Sequence, residues 1–161
     1  MDDTVVSVDE QAEIVKTFLE GLVEAFGAQG EVAATTVDED TVEVAVTGDD
    51  LALLIGPKGQ TLLAVQDLSR TVVQRRAAGR HEGRVRIDVS GYRSRRREAL
   101  VRFTGQVAAE VKASGVQKAL EPMGAADRKI VHDTANEIDG VSTISEGDDP
   151  RRRVVILPSS G

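Results

Sequence analysis

Cysteine is absent from this 161-residue chain, so no disulfide can brace the fold and no thiolate can hold a metal or attack a substrate. Tryptophan is absent as well, and phenylalanine and tyrosine together number four. The cores must therefore be built from valine, leucine, isoleucine and alanine. Base stacking on aromatic rings, as on RRM and OB sheets, cannot dominate a binding surface here. No apolar run approaches a membrane span and no charged-then-apolar leader opens the chain, so a soluble cytoplasmic protein is expected. There are two histidines, His81 and His132, and neither sits in a cluster with metal-ligand spacing. No G-x-S-x-G elbow is present. The sequence implies no enzyme and no cofactor.

Basic residues are scarce in the first third and concentrated afterwards. Residues 1–55 hold one basic residue, Lys16, against 14 acidic ones, whereas residues 56–161 hold 19 basic and 13 acidic. The net charge of −7 conceals this division. Between residues 70 and 102 stand 11 arginines and three acids, Glu82, Asp88 and Glu98. A one-sided positive field of that kind attracts polyanions, while the acidic remainder discourages indiscriminate binding.

The charge reverses at Leu54-Ile55-Gly56-Pro57-Lys58-Gly59-Gln60. Two glycines three apart, with a lysine between them, can form a tight loop whose N–H groups face an anion. The helix that follows would aim its positive end at the same place. A G-x-x-G alone is weak evidence, because a helix-turn-helix linker with a C-cap glycine is commoner. Neither a Walker loop nor a dinucleotide fingerprint fits the spacing.

Around the loop the elements fall in a definite order. Ser7-Val8-Asp9-Glu10 reads as a capping box opening a helix with a stripe of Ile14, Val15, Phe18, Leu19, Leu22, Val23 and Phe26; Met1 to Val8 reads as a frayed lead. Strands are expected over Glu31–Val37 and Thr41–Thr47, with a hairpin at Asp38-Glu39-Asp40. Gly48-Asp49-Asp50 should cap a short helix, Leu51–Ile55, that enters the loop. A longer helix, Gln60–Arg76, should stop at Ala77-Ala78-Gly79, and a half-buried strand should run from Arg84 to Val89 with His81 in the loop before it. A long helix, Tyr92–Ala113, follows, with a stripe of Ala99, Leu100, Phe103, Val107 and Val111. Its first turns carry Arg93, Arg95, Arg96 and Arg97, with only Glu98 close enough to neutralise them. A short strand near Val116–Leu120, a helix from Ala125 to Ile138 and a hairpin of Val141–Ser145 with Arg153–Leu157 complete the chain. The residues from Pro158 onward read as a frayed end. Within the Ala125 helix, Arg128 and His132 lie four apart and so share a face.

Helix, strand, strand, short helix, G-x-x-G, helix, strand resembles a KH domain in its type II arrangement, αββααβ. The run Ala119-Leu120-Glu121-Pro122-Met123, then Arg128…His132, then an arginine-rich last strand, resembles an R-3-H domain, named for Arg-x-x-x-His. A KH domain followed by Asp88-Val89-Ser90-Gly91-Tyr92-Arg93, a long helix and this module is similar to the Jag family of bacterial proteins. The resemblance covers about residue 10 to Pro158. It implies an α+β chain with a KH-like domain at 1–91 and a small α/β R-3-H-like domain at 92–161, joined by the long helix. The family's separate N-terminal Jag domain is expected to be lacking.

By the same resemblance, Gly56, Pro57, Lys58, Gly59 and Gln60 would clamp a sugar-phosphate backbone, with bases in an adjacent apolar groove. Arg128, with Lys129 beside it, would fork to phosphate or a base edge, and His132 would stack on a base or donate to phosphate. Arg95, Arg96, Arg151 and Arg153 would extend the track. Two departures are visible. Proline at 57 removes a backbone donor, and Gly124-Ala125-Ala126 lacks the aromatic residue often found before the arginine. The partners implied are single-stranded RNA or DNA and a second, smaller KH protein. The role implied is post-transcriptional regulation or RNA chaperoning tied to cell elongation and division. The competing reading is a protein–protein adaptor that uses the KH fold to dimerise.

Overall fold

In the computed structural model of the chain, residues 4–77 and 80–159 are described. They form two compact units, Met1–Arg93 and Ser94–Gly161. Among the described residues no helix is long and apolar enough to cross a membrane.

The first unit opens with the expected cap. Ser7 Oγ accepts from the Glu10 N–H at 3.3 Å, and the Glu10 carboxylate accepts from the Ser7 N–H at 2.9 Å. The Ser7 N–H, and then the Ser7 hydroxyl 3.0 Å from the same carboxylate, favour its ionised form and hold Glu10 below its ordinary pKa. Helix α1, Val8–Ala25, ends at Gly27, whose left-handed φ of 66° lets the Gly27 and Ala28 N–H groups return to the carbonyls of Glu24 and Val23. Strands β2 (Glu31–Asp38) and β3 (Thr41–Thr47) pair antiparallel, and β5 (Arg84–Val89) lies parallel to β3, in the order β2-β3-β5. That parallel pair needs a crossover, which α2 (Ala52–Ile55), the glycine loop and α3 (Gln60–Arg76) supply.

The inward positions Val42, Val44 and Val46 of β3 and Ile87 and Val89 of β5 are buried against Val15 and Leu19 of α1 and Leu62 and Val65 of α3. Phe26 falls outside this core and is exposed. Three expectations need correction. The lead is ordered at Val5–Val6 (β1), which pairs parallel with Arg80–His81 (β4), so His81 lies in a strand. Buried Gln11 secures the pair by donating to the carbonyls of Val6 and Glu82. Helix α2 has Leu51 as its N-cap with no side-chain bond, so Gly48-Asp49-Asp50 does not cap it. The expected stop of α3 falls at Ala77, and Ala78 and Gly79 lie outside the described residues.

In the second unit α4 (Tyr92–Ser114) and α5 (Ala125–Asn136) pack on a sheet ordered β6-β8-β7. Its strands are β6 (Lys118–Ala119), β7 (Val141–Glu146) and β8 (Arg153–Pro158). Tyr92 and Arg93, the first residues of α4, group with the first unit. The stripe that α4 buries is Leu100, Thr104, Val107, Ala108 and Val111, a run at spacings of three and four. Ala99 and Phe103, expected to be inside, are exposed, because the stripe advances through Thr104 and Ala108 instead. Helix α5 stops two residues short of Ile138, at Asn136. Pro158 is not frayed; it pairs with Val141, and Ser160 and Gly161 lie outside the described residues.

Ile87 is fully buried at the centre of the first core. Ile87→Ala should lower the stability of that unit by about 2–5 kcal/mol. Half-buried Val32 on the edge strand should tolerate alanine at under about 1.5 kcal/mol. Urea unfolding followed through amide signals of β3 and β5 measures both.

Candidate nucleic-acid interface

The glycine loop is a tight turn made of unusual backbone. Gly56 has φ 70° and ψ 176°, Pro57–Gly59 forms one 3-10 turn, and Lys58 and Gly59 are both left-handed, at φ 53° and 73°. Glycine is required twice. A Cβ on Gly56 would lie 2.2 Å from Thr61 Oγ1, and one on Gly59 would lie 2.6 Å from the Tyr92 ring. Tyr92 is thus the floor on which the loop rests, a role that its place 33 positions further along did not announce. The turn also consumes its own donors. Gly56 N–H goes to the Ala52 carbonyl, Gly59 N–H to Gly56, and Gln60 N–H to Pro57. The expected open row of N–H groups is therefore reduced. What the loop offers an anion is the exposed Lys58 ammonium beside the positive end of α3.

A groove of about 460 Å³ lies between α3, from Leu63 to Gln74, and β5, with Gln11 and Val15 of α1 also lining it. Leu63, Val73 and Val85 supply apolar lining, and Arg70, Arg84 and Arg86 supply charge. Its wall is held by Gln66, which donates to the Val85 carbonyl at 2.9 Å and accepts from the Ile87 N–H at 2.8 Å. Arg93 adds a bond from Nε to the Ile87 carbonyl at 2.8 Å. Burial pushes the Arg93 guanidinium below its usual range, and Asp88 opposes this. An arginine stays protonated under such a push, so Arg93 is a fixed charge in the wall.

In the second unit, Arg128 and His132 share a face of α5 as expected, and that face meets the closing hairpin. Arg128 is buried, and its Nη1 donates to the Met123 carbonyl at 2.7 Å and to Asp149 Oδ1 at 2.9 Å. Half-buried His132 lies between two hydroxyls of β7, with Nδ1 2.6 Å from Thr143 Oγ1 and Nε2 2.7 Å from Ser145 Oγ. Arg128 therefore shapes the surface from beneath, and only His132 keeps a partly open ring.

The other arginines separate by partner. Arg96 reaches Asp127 with Nε and Nη2 at 3.1 and 2.9 Å. Together with the inward turn of Arg93, this corrects the expectation that Glu98 alone would neutralise the cluster. Arg153 pairs with Glu146, Arg86 with Glu43, and exposed Lys129 with Asp133. Arg152 donates to the Gly147 carbonyl. Arg95, Arg97 and Arg151 are exposed.

Comparison with known proteins agrees with this geometry. Residues 12–89 match a family model described as KhpA/KhpB, KH domain, and residues 98–158 match the model of the R-3-H domain. The class is thus a KH domain followed by an R-3-H domain. Among curated relatives is the RNA-binding protein KhpB of Clostridium symbiosum, 34% identical over 140 residues, 86% of this chain and 62% of that protein. The protein of the same name from Bacillus subtilis is 34% identical over 145 residues, 88% of this chain and 67% of its own length. The one from Lactiplantibacillus plantarum is 40% identical over 104 residues, 65% of this chain and 32% of that protein. The chain belongs to the KhpB (Jag) family, and it spans about three fifths of the length of the first of these relatives.

Gly59→Ala should destabilise the first unit through both the left-handed backbone and the Tyr92 ring. Tyr92→Ala in the same chain should relieve the second cost only, leaving about 1–2 kcal/mol for the backbone. A double-mutant cycle in urea should therefore give a coupling energy clearly different from zero; additive losses would mean that the ring does not support the loop.

Proposed function

We propose that this chain binds single-stranded RNA through both units and acts as a post-transcriptional regulator or RNA chaperone. The observation that carries the reading is that one helix, α3, has an exposed lysine at its positive end and an arginine-lined groove along its side. Lys58 stands at the positive end of α3, and the same helix lines a groove with apolar walls and arginines along it. A phosphate at Lys58 and the α3 terminus would leave the bases beside Leu63 and Val85. In the second unit His132, Arg95 and Arg151 would meet the strand, and Arg128 would hold their support. The name that these relatives share, RNA-binding protein KhpB, supports the same partner. Few aromatics are available for stacking, so affinity should come mainly from phosphate contacts and fall with salt.

A second reading rests on exposed leucines of α2 and α3. Leu53 on α2 and Leu63 and Leu68 on α3 are 71, 49 and 53% exposed. Such side chains suit contact with another protein, including a second, smaller KH protein, in a role tied to cell elongation and division. Single-stranded DNA is the alternative nucleic acid.

A fluorescent single-stranded RNA titrated at two salt concentrations tests the reading. Native protein should bind with an apparent affinity that drops by tenfold or more between about 50 and 200 mM salt. Pro57→Asp/Lys58→Asp should weaken binding at least tenfold at low salt, with a shallower salt slope. Arg128→Ala/His132→Ala should weaken it less, and circular dichroism should reveal any part due to a loosened second unit, since removing Arg128 takes a donor from the half-buried Met123 carbonyl and from exposed Asp149. Native protein that fails to bind at low salt would leave the adaptor reading in place.

A further inference from the structure

The β2-β3-β5 sheet has two edges, and the chain treats them differently. At β5 the outward carbonyl of Val85 and N–H of Ile87 are occupied by the buried Gln66 side chain, which acts as a surrogate strand. At β2 nothing comparable is present among the described residues. Every residue of this eight-residue strand except half-buried Val32 is exposed. An edge strand turns alternate N–H and C=O groups outward, and proteins ordinarily protect such a row with lysine, proline, a short strand or a bulge. Here the sequence is Glu-Val-Ala-Ala-Thr-Thr-Val-Asp, without lysine or proline, and the register shifts only near its end, between Thr36 and Asp38. About 20 Å of regular edge, Glu31 to Thr36, is left open.

We propose that β2 is a docking edge that takes an extended segment of a partner protein as a fourth strand, the segment carrying lysine or arginine at both ends. The charges on the edge choose this occupant. Acidic residues stand at both of its ends, Glu31 at one and Asp38, Glu39 and Asp40 at the other. Antiparallel pairing with a second copy would set Glu31 against the copy's acidic turn at each end, and like charges placed opposite one another destabilise a ladder. A nucleic acid strand is repelled by the same charges. A segment with basic ends is attracted, and small, exposed Ala33, Ala34, Thr35 and Thr36 leave room for its side chains.

The test uses the full chain, labelled with nitrogen-15, and two nine-residue peptides. Both contain an alternating valine–threonine run; one has lysine at each end and the other glutamate. At low salt the lysine-ended peptide should shift the amide signals of residues 31–38 in a saturable way and slow their hydrogen exchange at least tenfold. The glutamate-ended peptide should bind at least tenfold more weakly. Glu31→Lys/Glu39→Lys, which alters two exposed side chains outside every hydrogen bond described above and brings the summed charge of the two ends to zero, should abolish that preference. Equal responses of the native chain to both peptides, or no response of β2 at millimolar peptide, would overturn the proposal. So would concentration-dependent protection of β2 in the chain alone, which would make a second copy the occupant. Protection of β2 by single-stranded RNA would do the same.

Discussion

The first unit depends on the carboxamide of Gln66. It makes the two hydrogen bonds to β5 that a neighbouring strand would make, from a position one and a half turns into α3. That fixes both the distance of the helix from the sheet and its rotation about its own axis. Because α3 begins directly after Gly59, the same rotation decides where Lys58 points. Arg93 extends the network: Nε binds the Ile87 carbonyl, and its N–H binds Asp88 Oδ1 at 3.1 Å. Loop, helix, strand and the start of α4 are thereby set by one buried polar cluster, in which each partner removed leaves another unsatisfied. The groove keeps its shape because its wall is hydrogen-bonded, and a wall held by dispersion alone would yield more readily.

Within this frame, the excess of arginine serves two purposes. Arg93 and Arg128 are turned inward, where they donate to the backbone carbonyls of Ile87 and Met123. Arg96 joins α4 to α5 through Asp127 in the first turn of α5, where a carboxylate is also favoured by the helix dipole. Lys58, Arg75, Arg76, Arg97, Arg102 and Arg151 remain exposed. The field that attracts a polyanion arises from this second group. The first group makes the surface stiff enough for that field to have a shape.

Much of this was legible in the sequence because short-range rules decide it. Alternation at Val42, Val44 and Val46 and at Val85, Ile87 and Val89 placed β3 and β5 to the residue, and Ser7 with Glu10 marked the start of α1. The positions of the G-x-x-G and of Arg128 and His132 were equally plain. Long-range pairing was not: Val5–Val6 becomes a strand only because Arg80–His81 lies beside it and Gln11 spans 71 residues to the Glu82 carbonyl. The phase of α4 was misjudged because the stripe through Phe103 is as regular as the one through Thr104, and the packing partners decide between them. Arg128 shows the limit most clearly. Spacing puts it on one face with His132, yet only the hairpin reveals that this face points at Met123 and Asp149.

Proline 57 is where sequence and structure together change an argument. Read in sequence, it costs a clamp one of its N–H donors. In the fold, the loop donors at Gly56, Gly59 and Gln60 are already spent on Ala52, Gly56 and Pro57, so the missing donor forfeits little. The proline meanwhile fixes φ at the first position of the turn, immediately before a lysine held at φ 53°. A left-handed non-glycine residue costs about 1–2 kcal/mol. A rigid predecessor narrows the unfolded alternatives against which that cost is counted. The loop thus exchanges a flexible, donor-rich cradle for a single cation held in place before any ligand arrives. On the proposed reading, such a loop would recognise a phosphate by charge and position, and the groove lined by α3 would supply whatever selectivity the first unit has.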